Sequence, residues 1–165
     1  MRRRRVCEQV LPEPMKQLLI VYNSQSGASA GLAMAAMAGA NANGLVAVRV
    51  LRAADAGVAD LAGANGVLLV AAENSGTLAG GMKDFLDRTL YPVGARALVL
   101  PYALLVSAGN DGRGAVAQAQ RILSGFPFTE AAEPLILRGD ASQDHLSRAT
   151  ELGEALAAGL DMGIF

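Results

Sequence analysis

Residues 18–32 read LLIVYNSQSGASAGL, and their reading decides the fold. An unbroken apolar run, Leu18 to Val21, stops at Asn23, Ser24, Gln25, Ser26, Gly27, Ala28 and Ser29. A long stretch of small apolar residues follows at once. A buried strand that feeds a helix through a hydroxyl-rich turn has this pattern. Such a turn holds anions: the free N–H groups and positive end of the helix point at the ligand, and short hydroxyls add donors without bulk. Ser24, Ser26 and Ser29 with Gly27 make S-x-S-G-x-S, although Ser is also a common helix cap. The spacing lacks the Lys of a G-x-x-x-x-G-K-[ST] loop, which excludes an NTP-hydrolysing P-loop, and no G-x-G-x-x-G follows the strand. The working reading is a loop that holds the phosphate of a mononucleotide.

The pattern repeats along the chain. Strands are expected at 17–23, 45–50, 67–71, 102–106 and 134–137. Helices are expected at 27–42, 55–61, over Met82, Phe85 and Leu86, at 114–123 and at 143–160. Residues 91–94, Tyr-Pro-Val-Gly, read as a connection. Residues 67–71 are apolar throughout, as in a strand covered on both faces. Five alternations of strand and helix predict an α/β, three-layer fold with a parallel sheet and helices on both faces. Two further polar loops follow strands: Glu73, Asn74, Ser75, Gly76 and Thr77 after the third, and Ser107, Ala108, Gly109, Asn110, Asp111 and Gly112 after the fourth. In a five-stranded sheet of order 2-1-3-4-5, strands one, three and four are neighbours. Their loops then converge on one crevice at the carboxyl edge, where such sheets bind ligands. That convergence is the functional argument.

Composition narrows the classes. The chain has 165 residues, 52% apolar and 4% aromatic, which fits one globular domain. The formal charge is −1. The first fourteen residues hold four Arg and two Glu, so the rest of the chain is acidic by three charges. This is no nucleic-acid surface. It also lacks the strong acidity of a dedicated small electron carrier. Cys7 is the single cysteine, so a reducing, cytoplasmic setting is expected. No apolar run is long enough to span a bilayer. Residues 1–16 are expected to be a disordered N-terminal extension rather than a membrane or nucleic-acid tether, and 17–165 the folded domain. Met15 is an alternative start. Lys83, Asp84, Asp87 and Arg88 read as a solvated helix face with local ion pairs. His145 reads as a surface residue without partners for a triad or metal site; no metal ligands and no protein catalytic group are expected.

Three stretches together resemble flavodoxin-like FMN proteins, in particular the NAD(P)H-dependent flavin or quinone oxidoreductases. The resemblance covers about residues 15–165. Residues 21–29 resemble the family's phosphate loop, commonly S-Q-[ST]-G-N-T. Glu73-Asn74-x-Gly76, with Lys83-Asp84-Phe85-Leu86-Asp87-Arg88, resembles its flavin-edge loop and following helix. Residues 107–112 resemble its third flavin loop. The resemblance implies that 24–29 hold the FMN phosphate and that 73–77 and 107–112 line the ring and ribityl chain. It further implies NAD(P)H as co-substrate, a quinone or similar small acceptor, redox chemistry carried by the flavin, and a homodimer or homotetramer. Two alternatives remain: an electron carrier of flavodoxin type without NAD(P)H activity, and a flavin-free module of the same fold. The chain departs from the pattern at Ala28, at Ala72, and at Ser75 and Thr77, where relatives carry aromatic residues that cover the ring. Tyr22, Tyr91 and Tyr102 are the candidates to replace those contacts.

Overall fold

The computed structural model describes residues 14–165. Of the expected extension over residues 1–16, residues 1–13 lie outside the described residues. The element order is β1 (Gln17–Tyr22), α1 (Ala28–Asn41), β2 (Ala47–Arg52), α2 (Val58–Ala62), β3 (Gly66–Asn74) and β4 (Thr77–Leu78). It continues with α3 (Gly80–Ala95), β5 (Pro101–Ala108), α4 (Arg113–Leu123), β6 (Thr129–Glu130), β7 (Leu135–Arg138) and α5 (Gln143–Met162).

The sheet core is parallel in the order β2-β1-β3-β5, with β6 and β7 both on the far side of β5. This is the expected 2-1-3-4-5 order with its fifth position shared by two short strands. β6 pairs at Pro101 and Tyr102, and β7 at Leu105 to Ala108. β7 is the strand expected at 134–137; β6 lies outside that expectation, and residues 131–134 separate the two.

Alternation along the strands sorts the core into two layers. Leu18, Ile20, Leu68, Val70, Ala103 and Leu105 face α1 and α5. Leu19, Val21, Val67, Leu69, Leu104 and Val106 face α2, α3 and α4, where Met82, Phe85 and Leu86 are fully buried. Both faces are therefore covered, which is why these strands carry no polar alternation.

Against the expected bounds, β2 starts two residues later and α2 three residues later, and β3 runs on to Asn74; two further differences change the kind of structure. Helix α3 runs through Pro92 to Ala95, where residues 91–94 had the look of a connection. Pro92 lies in the last turn, and Val93 beside it is buried, so core packing holds the helix there. The loop at 72–77 is a β-hairpin: Glu73 pairs with Leu78 and Asn74 with Thr77. Ser75 and Gly76 have φ of 51° and 76°, the left-handed pair that a two-residue type I′ turn requires.

The solvated face of α3 forms as expected. Lys83 bonds Asp87 at 2.6 Å and Arg88 bonds Asp84 at 2.9 Å. Arg88 has a second task that the sequence concealed: its guanidinium also donates to the carbonyls of Ala53 and Ala56 and fixes the turn after β2. Tyr102 sits at the amino end of β5. Burial first, and then the carboxylate of Glu130, hold its phenol above the ordinary value. That perturbation lies at the sheet edge opposite the loops, in a structural setting.

Helices α1 and α5 cross at glycines. A Cβ on Gly153 would overlap the carbonyl of Ala36, and one on Gly39 that of Thr150. Gly31, also in α1, has open space around its Cβ position. Gly153→Ala should therefore destabilise the protein by about 1–3 kcal/mol as the helices are forced apart. Gly31→Ala should stabilise it by about 0.5–1 kcal/mol through helix propensity. Urea unfolding of the two variants checks this, and equal effects would show that the crossing is not tight.

Candidate functional site

Strand register places the loops. Tyr22 at the end of β1 lies beside Val70 of β3, and Ala72 beside Ser107 of β5. Ala108 lies beside Arg138 of β7. The Asn23 N–H donates to the Val70 carbonyl (3.0 Å) and the Gly139 N–H to that of Ala108 (2.8 Å). The chain thus leaves β1, β3, β5 and β7 along one carboxyl edge.

Two adjoining compartments open there. The smaller, about 160 Å³, is lined by Asn23, Ser24, Gln25, Ser26, Ala28 and Ser29, with Ala72, Asn74 and Ser107 behind them. The larger, about 660 Å³, is lined by residues 26–28, 72–74, 107–109 and 139–141. Ser26, Ala28, Ala72, Asn74 and Ser107 border both.

The smaller compartment opens at the amino end of α1. The hydroxyl of Ser24 accepts the Gly27 N–H at 3.1 Å and turns the loop. Gly27 precedes α1 with φ of 99°, a conformation that favours glycine. The first helical bond of α1 runs from the Gly31 N–H to the Gly27 carbonyl (2.9 Å). The N–H groups of Ala28, Ser29 and Ala30 are therefore left without intrahelical acceptors. Ser29 is 2% exposed, and its hydroxyl has no hydrogen-bond partner. A buried hydroxyl without a partner costs about 1–3 kcal/mol, so native structures rarely keep one unless something else bonds it. Ser29 lines a compartment whose other polar side chains among the described residues, Asn23, Ser24, Gln25, Ser26, Asn74 and Ser107, are all neutral.

The larger compartment has different chemistry. Ala28, Ala72, Ala108, Gly109, Gly139 and Ala141 give low walls, and Asn74 and Ser107 supply polar edges. Its ionisable groups are the carboxylates of Glu73 and Asp140. Glu73 accepts the Asn110 N–H at 3.2 Å and ties the second loop to the third. Walls of small side chains with a few polar edges suit a flat heterocycle, and the volume lies in the range of ordinary ligand sites.

All six residues of the first loop, 24–29, border one compartment or the other, as do Glu73, Asn74, Ser107, Ala108 and Gly109. Ser75, Gly76 and Thr77 line neither, because the hairpin turns them outward. Asn110, Asp111 and Gly112 line neither as well; Asp111 caps the entry to α4 by accepting the Arg113 N–H at 2.9 Å. Gly139, Asp140 and Ala141 line the larger compartment although the sequence reading did not select them. Their signal was present: they follow a strand and precede Ser142, whose hydroxyl accepts the His145 N–H at the start of α5. Tyr22, Tyr91 and Tyr102 do not reach the site, and among the described residues no aromatic side chain lines either compartment. His145 is half-buried in the first turn of α5 and lines neither. Among the described residues no group of acidic, His or Cys side chains could hold a metal ion.

No protein-family model and no curated protein matches the chain. Solved structures do. A flavodoxin from the domain Archaea superposes with a TM-score of 0.76 at 22% identity, over 87% of this chain and 98% of that one. A WrbA-like flavodoxin from Agrobacterium tumefaciens gives 0.71 at 15%, over 89% and 98%. The rubredoxin:oxygen oxidoreductase of Desulfovibrio gigas gives 0.76 at 14%, over 92% of this chain and 37% of its own. The fold is therefore flavodoxin-like: a parallel α/β sheet with helices on both faces, as the sequence led one to expect.

The Ser29 hydroxyl yields a prediction of opposed signs. Ser29→Ala should raise the stability of the ligand-free protein by about 1 kcal/mol, since a buried unpaired group is removed. It should weaken binding of inorganic phosphate about fivefold. Urea unfolding and calorimetric titration read the two effects. A loss of stability would mean that the hydroxyl already has a partner.

Proposed function

We propose that the protein binds FMN and moves reducing equivalents from NAD(P)H to a quinone or a similar small acceptor. The observation that carries the cofactor reading is the unpartnered Ser29 hydroxyl in a small neutral cradle that opens into a flat-walled compartment. A phosphomonoester joined to a planar ring system has those two parts. Residues 24–29 would hold the phosphate through the N–H groups of α1 and the serine hydroxyls. Residues 72–74, 107–109 and 139–141 would border the ring. The outward-turned residues 75–77 and the loop's remainder, 110–112, would then support the wall rather than touch the ligand.

When bound, the flavin supplies the redox chemistry. Overall, a hydride from NAD(P)H and one proton from solvent convert a quinone to its hydroquinone. The protein's part is to hold the ring and leave one face accessible. The lack of aromatic side chains lining the compartments among the described residues supports access for a small planar substrate, and the active form in this reading is a homodimer or homotetramer. A second reading, an electron carrier without NAD(P)H activity, is favoured by the flavodoxins among the similar structures. The carboxylates of Glu73 and Asp140 disfavour extra negative charge in the larger compartment, which suits either reading.

Purification in the presence of FMN should give a protein that retains the flavin's visible absorbance, and anaerobic NADH or NADPH should bleach it. Retention without bleaching by either nucleotide would select the carrier. No retention would remove both. Ser26→Asp should weaken FMN binding about tenfold or more by bringing a like charge to the phosphate. Unchanged affinity would place the phosphate elsewhere.

A further inference from the structure

The outer strand of the 73–78 hairpin is held by α4, away from any ligand contact. Leu78 is 3% exposed, and its N–H donates to Oε1 of Gln118 at 2.8 Å. One turn earlier on the same helix face stands Gly114, where a Cβ would overlap the carbonyl of Gly76. Helix α4 thus accepts one strand of the hairpin at Gln118 and its turn at Gly114. The other strand, Ala72 to Asn74, is the wall of the larger compartment. Across the hairpin, Leu78 is the register partner of Glu73, so whatever holds Leu78 holds Glu73.

We infer that Gln118, outside both compartments, is a positioning residue for the ring wall: it fixes residues 72–74 by anchoring the strand that pairs with them. This inference rests on the FMN reading above. The anchoring bond goes to a buried backbone N–H, which loses its acceptor if Gln118 is truncated. Nothing in that bond requires an amide. A carboxylate at 118 offers the same acceptor oxygen. The groups that would bond a phosphate, the first N–H groups of α1 and the hydroxyls of residues 24–29, belong to the first loop; of the hairpin only Ala72 and Asn74 reach that compartment, from behind. The two compartments should therefore respond separately.

Calorimetric titration of Gln118→Leu and Gln118→Glu with FMN and with inorganic phosphate, beside the unaltered protein, tests this. Gln118→Leu should weaken FMN about fivefold, the effect of one lost hydrogen bond, with phosphate binding unchanged. Gln118→Glu should bind FMN within about twofold of the unaltered protein. Amide exchange in the ligand-free proteins should show Leu78 deprotected in Gln118→Leu and protected in Gln118→Glu. If Gln118→Leu does not fold, Gln118→Ala makes the same comparison. FMN affinity unchanged by truncation, phosphate weakened in parallel, or no rescue by Glu would each overturn the assignment. Failure of the unaltered protein to bind FMN, with Leu78 exchange still following the acceptor at 118, would instead overturn the flavin reading.

Discussion

The parallel pairing of β1 with β3 and of β3 with β5 is the constraint on which the site depends. Leu18 to Tyr22 run beside Gly66 to Val70, and Val67 to Ala72 beside Tyr102 to Ser107. These strands are buried on both faces, so a one-residue slip would exchange the two helix-facing layers. The register is held by that cost. Parallel pairing puts every carboxyl end on the same edge, and a fixed register brings residues 23, 72 and 107 together to within one cavity. The site follows from the core.

At that edge the fold has left some groups incompletely bonded. The first N–H groups of α1 have no intrahelical acceptors, and the Ser29 hydroxyl is buried alone. The neighbouring Ser24 spends its oxygen on the Gly27 N–H, which shapes the loop. The contrast between these two serines separates the residue that builds the turn from the one whose hydroxyl is left unbonded. On the opposite side, Glu73 in the wall and Gln118 behind it are occupied in holding the hairpin to the loop after β5 and to α4. Stiffness there and unmet hydrogen-bonding capacity at α1 are complementary parts of one site.

Much of this was legible in the sequence. The apolar run at 67–71 announced a strand covered on both faces and that at 18–21 a buried strand, and the three polar stretches after strands announced the crevice. What escaped reading has physical reasons. The pair Ser75-Gly76 is a turn signal, but two-residue β4 is too short for periodicity to reveal, so a hairpin looked like a loop. Its I′ geometry then carried 75–77 away from the cavity. Pro92 suggested a helix end, yet burial of Val93 carried α3 past it. Two-residue β6 is likewise too short for periodicity to reveal, and its pairing with the amino end of β5 is a tertiary property. Gly139-Asp140-Ala141 carries the same signal as the other loops, a polar stretch directly after a strand. The absent ring-covering aromatics were plain from Ser75 and Thr77, and the tyrosines that could have replaced them lie elsewhere.

The measurement closest to the central claim is a map of amide resonances on addition of FMN to the ligand-free protein. The account predicts shifts concentrated at Ala28, Ser29 and Ala30 and at residues 72–74, 107–109 and 139–141. It also predicts that inorganic phosphate reproduces the first group alone. Shifts confined to another surface, or an unchanged α1 amino end in the presence of bound FMN, would contradict it.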